Sequence, residues 1–300
     1  MMIKRQYNDV VRFRYFATIV LSVLAVAVIL PILLIVTASF TDEDMLVAHG
    51  YTFFPARLSL DSYYYMVKQS ALIFHAYGVT LSVTALGTLI SVALTTTLAY
   101  PMSRRDFKYK NALAFFVFFT MLFNGGVVSS YIMWSSFFHI KNTLFALIAP
   151  NFLVTAFNVL LVRNYYSNSI PHEMVESAQI DGAGELRIFI AVMIPLAIPT
   201  IATISLFTGL IYWNDWVNCL YYITDSKLYP LQNLLIRIMN NIQFLKVSSN
   251  AQLLGTMDIE LPGSSVRMAM AVIGIIPVLI IFPFVQKYFI KGVILGAIKG

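Results

Sequence analysis

The chain has 300 residues, of which 59% are hydrophobic and 11% charged, with a formal net charge of +6 and a mean hydropathy of +0.78. An ordinary soluble domain carries roughly 25% charged residues, so this composition excludes a water-covered globule; the apolar residues come in runs of about twenty, the length that crosses a bilayer as a helix. A single cysteine, Cys219, excludes an internal disulfide, and His49, His75, His139 and His172 are too scattered to suggest a metal site.

The basic N-terminal segment MMIKRQYNDVVRFRYF leads into an apolar run too long for a signal-peptide core and without a small-residue cleavage pattern, so it reads as a retained first span, 15–40. A polar interval, 41–75, separates it from a second span, 76–102. A third, 111–138, is interrupted by Asn124-Gly125-Gly126. A fourth is expected over 143–162 and a fifth over 188–212, where Pro195 and Pro199 kink or break the helix start and free backbone carbonyls. A long loop, 213–265, leads to the sixth, 266–290. No internal repeat or low-complexity linker divides the chain, which reads as one domain, 1–300: an all-α membrane protein with six transmembrane helices.

With both termini in the cytoplasm, thirteen Lys and Arg residues fall on short inner segments: Lys4, Arg5, Arg12, Arg14, Arg104, Arg105, Lys108, Lys110, Arg163, Arg187, Lys287, Lys291 and Lys299. Only seven fall on the much longer outer loops, so the positive-inside rule favours this orientation. The net charge is thus a topology signal. No loop has the dense basic run with interleaved aromatics of a nucleic-acid binder, and no nucleic-acid partner is expected. The spans are almost free of ionisable residues, which makes a proton- or sodium-coupled carrier hard to build. No Gly-Lys dipeptide occurs, so the phosphate loop G-x-x-x-x-G-K-[ST] is absent and ATP hydrolysis by this chain is excluded.

The segment EMVESAQIDGAGELRIFIAVMIPLAIP, from Glu173 to Pro199, places four acidic residues in a loop, 163–187, that faces the cytoplasm in this topology. Pro171 suits a first helical turn and Ser169 can cap it. Glu173 and Glu176 follow in the early turns, favoured by the positive end of the helix dipole. Ser177 and Ala178 keep one flank narrow, allowing close approach of another surface. Asp181-Gly182 ends the helix through a left-handed glycine, and Glu185, beyond Ala183, is placed to help cap a second helix. The expected product is a compact helix–turn–helix knob, with a solvated connector as the alternative.

In ESAQIDGAGELRIFIAVMIP, the residues Glu176, Ser177, Ala178, Gly182, Val192, Ile194 and Pro195 resemble the EAA loop of bacterial ABC importer permeases, with Ser177 in place of the first alanine and Val192 and Ile194 in place of isoleucine and leucine. The segments FFVFFTMLFNGGVVSSYI, YWNDWVNCLYYITDSKLYPLQ and VQKYFIKGVILGAIKG resemble the carbohydrate-uptake permeases, specifically the LplC/aldouronate-type branch, so the likeness runs nearly the length of the chain. It implies a type I, maltose-permease-like bundle in the bacterial cytoplasmic membrane, one half of a heterodimeric pore whose other half is a homologous permease. The implied partners are an ABC ATPase dimer that binds ATP and Mg, an extracytoplasmic solute-binding protein, an oligosaccharide substrate and membrane lipid, with no cofactor in this chain. Glu173, Glu176, Ser177, Ala178, Asp181, Gly182 and Ala183 would then form the coupling helix and its turn, docked on the ATPase. A uronate-containing substrate is implied by the branch alone.

Sugars bind by stacking on aromatic faces and through uncharged hydrogen-bonding groups. Trp213, Asn214, Asp215, Trp216 and Asn218 supply that mixture after the fifth span; Asn124, Gly125, Tyr131 and Trp134 supply it in the third, and Asn158 in the fourth. Interfacial anchoring explains the same aromatics, helix packing explains the same amides and glycines, and Asp215 also reads as a helix cap. Arg237, Lys246 and Arg267 are candidates for attracting an anionic sugar, with interfacial anchoring as the alternative. The loop 225–263 is long enough to reach a binding protein, and the likeness implies that its middle inserts toward the sugar. The tail KYFIKGVILGAIKG reads either as packing beneath the bundle near the ATPase or as a positive-inside anchor. Besides the importer permease of an oligosaccharide, a permease for another solute, a self-contained carrier or channel, and a membrane enzyme were weighed. The enzyme lacks a cluster of acid, base or metal ligands near a membrane face.

Overall fold

A computed structural model of the chain describes residues 2–68, 70–150, 152–247 and 263–297. The middle of the outer loop, 248–262, and Lys299 lie outside the described residues, as do the side chains of Lys246, Lys287 and Lys291. Among the described residues the regular structure is helical, apart from one isolated antiparallel bridge between Thr41 and Leu58. In chain order the helices are α1 (Met2–Ser39), α2 (Glu43–His49), α3 (Asp61–Lys68), α4 (Ser70–Ser103), α5 (Lys110–Leu122), α6 (Gly126–Ile132), α7 (Phe145–Ile148) and α8 (Ala156–Asn168). They continue with α9 (His172–Ile180), α10 (Glu185–Ile188), α11 (Ile194–Leu196), α12 (Ile198–Asn214), α13 (Val217–Tyr222), α14 (Leu231–Val247) and α15 (Ser264–Ala297).

The contacts divide the chain into two compact units, 1–70 with 238–276 and 71–237 with 277–300. In the first, the most apolar window of α1 has a mean hydropathy of 3.3 and none of it is buried, so this helix has the surface of a lipid-facing element. Asp42 accepts from the Asp44 backbone to start α2, and Phe40 stacks on Tyr63 at 4.8 Å. The Glu43 carboxylate accepts from Ser264 N at 2.6 Å and from Ser265 N and Oγ, both at 2.9 Å. The orphan donors at the start of α15 are therefore met by a residue more than two hundred positions away.

The second unit contains the breaks the sequence announces. Among the described residues of the whole chain, three helical segments, Val11–Ser39, Ser70–Ser103 and Ser264–Pro283, are long and apolar enough to cross a membrane, and five if each bent pair counts as one span. Helices Lys110–Leu122 and Gly126–Phe137 meet at 114°, with Gly126 at φ +79° and its N–H held by Asn124 Oδ1 at 2.8 Å. Segments Glu185–Leu196 and Ile198–Asn214 meet at 79°. Pro195 and Pro199 remove backbone donors around this bend, a π-turn occupies Phe189–Met193, and the Tyr165 hydroxyl donates to the Leu196 carbonyl at 3.2 Å.

The stretch expected as the fourth span, 143–162, is not one helix. It is α7, a break around Pro150, and α8: proline supplies no backbone donor, so the helix is not continued through it. Carbonyls in the break find donors elsewhere: Tyr212 Oη reaches Ile148 O at 2.9 Å, Asn218 Nδ2 reaches Pro150 O at 3.1 Å, and Ser91 Oγ reaches Phe152 O at 3.3 Å. In a lipid environment such partners are what permits a non-helical segment.

Tyr212 reaches that carbonyl because Gly87 leaves room on α4: a Cβ there would lie 2.6 Å from the tyrosine ring. Gly87→Val should therefore displace Tyr212 and destabilise the protein by about 1–3 kcal/mol. Thermal unfolding of the purified protein in detergent measures it, and an unchanged midpoint contradicts the packing described.

Candidate functional site

Helix α9 begins at Pro171, whose N-cap position carries no side-chain bond; Ser169 instead ends α8, correcting its expected role as the cap. The far end is a Schellman turn: Gly182, at φ +78°, donates to Gln179 O at 3.0 Å, and Ala183 N donates to Ala178 O at 2.9 Å. The chain then reverses into α10, forming the helix–turn–helix knob.

The faces of the knob are divided differently from the sequence expectation. Ala178, expected with Ser177 to leave room for another surface, and Ala183 are instead partly buried against the apolar cluster that contains Val175, Ala99, Met102, Val162 and Ile188. Ser177 is exposed and its hydroxyl turns back to Glu173 O at 2.8 Å. Glu173, Glu176, Asp181 and Gly182 are exposed. Beside them stand two bare aliphatic side chains, Ile180 at 86% exposure and Leu186 at 71%. A surface that combines carboxylates with uncovered aliphatics is suited to a partner with a basic, partly apolar cleft.

Glu185 does not cap a second helix. It is the first residue of α10, after Gly184 as N-cap, and its carboxylate reaches other elements. Oε1 accepts from Arg104 Nη2 at 3.2 Å and from Gln179 Nε2 at 3.3 Å, while Oε2 accepts from the Tyr100 hydroxyl. Arg104, buried at the end of α4, also meets Asp106 at 3.0 Å. Sequence reading missed Arg104 and Tyr100 because they lie more than eighty residues from Glu185; the arginine in the 103–110 connection registered only as a topology charge.

The pathway candidates separate into buried and open groups. Asn158 is buried and donates to Thr208 Oγ1 at 3.3 Å, tying α8 to α12. Asn218 is buried on the Pro150 carbonyl. Trp213 is buried, tilts against Tyr77 at 6.2 Å, and lines a largely apolar groove of about 760 Å³ with Thr84, Thr88, Ser205, Gly209 and Phe282. Among the described residues the Thr84 and Thr88 hydroxyls have no hydrogen-bond partner. Asn124 and Gly125 are exposed at the break before α6, and Asn214 is exposed with its amide on Leu210 O at 2.8 Å. Trp216 is partly open. Tyr131 stacks on Tyr222 at 5.9 Å and receives the Lys141 ammonium at 2.7 Å; Trp134 packs on Phe138 at 5.1 Å. The structure thus brings Tyr131 together with the segment after α12, and the link is completed by Asn142, a residue not singled out from sequence. At φ +55°, its Oδ1 accepts from Thr224 N at 2.7 Å and Asp225 N at 3.1 Å. Arg237 is held by Asn233 Oδ1 at 2.7 Å and lies over the Tyr229 ring at 4.2 Å; Arg267 is half-buried.

A family model described as "Binding-protein-dependent transport system inner membrane component" matches residues 10–295. The chain is 37% identical over 281 residues to the polygalacturonan/rhamnogalacturonan transport system permease protein YtcP of Bacillus subtilis (strain 168), covering 92% of this chain and 94% of that protein. It is 34% identical over 272 residues to protein LplC of the same organism, covering 91% and 90%. Among solved structures it resembles, with a TM-score of 0.77 and 28% identity, a chain of a bacterial ABC transporter involved in the import of the acidic polysaccharide alginate, covering 92% of this chain and 96% of that one.

Asp215 is nine-tenths buried and its Oδ1 accepts from Val217 N at 3.0 Å and Asn218 N at 3.2 Å, which starts α13. Burial pushes its carboxyl up from 3.8 to about 6, against the lowering effect of those donors. The folded protein thus holds this proton more tightly than the unfolded chain does. Its stabilising contribution is full below 3.8 and is lost as pH rises through about 6. Asp215→Asn keeps an acceptor for the helix start, and should flatten that slope and raise stability at pH 7.5, by at most about 3 kcal/mol. Melting temperatures measured across this pH range test it; a mutant with the parent's slope contradicts it.

Proposed function

Because this chain belongs to the family of binding-protein-dependent transport inner-membrane components, and is a permease of a sugar ABC importer that leaves ATP hydrolysis to a separate subunit, we propose that it forms one half of a heterodimeric pore for uronate-containing oligosaccharides. The partner half is a homologous permease, and an ABC ATPase dimer carrying ATP and Mg drives both from the cytoplasm. An extracytoplasmic binding protein delivers the sugar to the opposite face. The chain crosses the bacterial cytoplasmic membrane six times with both termini inside, as the lysine and arginine distribution favours. The bent pairs and the divided segment 143–162 are broken spans whose irregular backbone is satisfied by side chains.

The observation that carries this reading is the knob formed by α9, the Gly182 turn and α10. Its outer surface of Glu173, Glu176, Asp181 and Ile180 is left open, while Ala178 and Ala183 bind it to the bundle. An ATPase that clasps the open side shifts a rigid element, and the packed helices behind it change between inward- and outward-open arrangements. The uronate assignment is supported by the acidic polysaccharides named for the relative and for the solved transporter. Asn124, Gly125, Tyr131, Trp134, Asn214 and Trp216 are the pathway residues that remain open to a passing sugar; Asn158, Trp213, Asp215 and Asn218 shape the walls.

Gly182→Val places a β-branched side chain at a positive φ, where even an unbranched residue costs about 1–2 kcal/mol. In the complete importer, assembled with its partner permease, ATPase and binding protein, this change should cut oligosaccharide uptake at least about tenfold and loosen the ATPase during purification. Parental uptake with the ATPase retained would defeat the coupling assignment.

A further inference from the structure

The carboxylate of Glu185 is shared among three helices. It accepts from Gln179 at the end of α9, from Arg104 just beyond α4 and from Tyr100 within the last turn of α4. The side chain of Arg104 is only 11% exposed and its backbone surroundings are closed in turn by Arg163, whose Nε donates to Met102 O at 3.2 Å. The same joint has an apolar side: Val175, Ala178 and Ala183 belong to or pack against the cluster that contains Ala99 and Met102. The covalent route from the knob into the fifth span is much less direct. It passes through a π-turn at Phe189–Met193, loses the Pro195 and Pro199 donors, and bends by 79° before α12 begins.

We propose that Glu185, with Arg104 and Tyr100, is a positioning joint that makes the knob move as one body with the cytoplasmic end of α4, so that the stroke received at α9 enters the membrane through α4 before it reaches α12. The inference rests on the importer reading above and adds the route of the motion within this chain. A sharp bend that has lost two backbone donors to proline transmits force less well than a continuous helix, whereas a charge pair with two further donors and an apolar seal holds the two ends together. The joint touches neither sugar nor nucleotide. It acts by keeping the two ends of the lever together.

The test uses the complete importer in proteoliposomes, with uptake of an oligogalacturonate and ATP hydrolysis measured on the same sample. Glu185→Ala, Arg104→Ala and the double variant form a cycle, and Tyr100→Phe removes only one hydroxyl. The ratio of sugar imported to ATP hydrolysed should fall about three- to tenfold in each alanine variant, by less in Tyr100→Phe, and no further in the double than in the worse single. A ratio equal to the parent's in all four, with the ATPase bound, overturns the proposal, as does a double variant in which the two losses multiply. If the alanine variants shed the ATPase, Tyr100→Phe decides: a lowered ratio supports the joint and a parental ratio overturns it. A parent complex that imports no oligosaccharide would instead defeat the importer reading, leaving the two failures distinguishable.

Discussion

The left-handed turn at Gly182 is the constraint on which the cytoplasmic side depends. With φ at +78° it closes α9 and aims α10 back toward the bundle. Only then does Glu185 come within reach of Arg104, Tyr100 and Gln179, and only then do Ala178 and Ala183 face Met102 and Ala99. A residue with a Cβ resists that geometry, and the reversal would open. The knob is therefore a fixed feature of the bundle surface, with its acidic and aliphatic outer side free for a partner.

The rest of the second unit illustrates how an apolar chain tolerates broken helices. The breaks around Pro150 and around Pro195 and Pro199 leave carbonyls that lipid cannot satisfy, and donors lie close by. Tyr165 serves Leu196, Tyr212 serves Ile148, Asn218 serves Pro150 and Ser91 serves Phe152.

Local chemistry was readable from the chain; long-range partners were not. The Gly182 reversal, the break at Asn124-Gly125-Gly126 and the bend at Pro195 and Pro199 each rest on the conformational limits of one or two residues, and the structure contains all three. Continuity of 143–162 was misread because hydropathy averages over a window and reports apolarity, while the cut at Pro150 depends on donors from Tyr212 and Asn218 far along the chain. For Ala178 and Asn158, smallness and polarity say that a residue is near something, not whether that neighbour is a partner, a sugar or its own bundle; Ala178 joins the apolar cluster and Asn158 bonds Thr208. Glu185 was legible as a helix-start residue and illegible in its distant partners, Arg104 and Tyr100, which sit at the end of another helix.

In the proposed importer, the knob is where this subunit meets the ATPase. A photo-crosslinking side chain installed at Ile180, the most open aliphatic of the knob, tests that directly in the assembled importer. The predicted result is a covalent adduct with the ATPase subunit, formed in both nucleotide-free and ATP-bound states. Adducts with lipid or water alone, in a complex that still contains the ATPase, would contradict it.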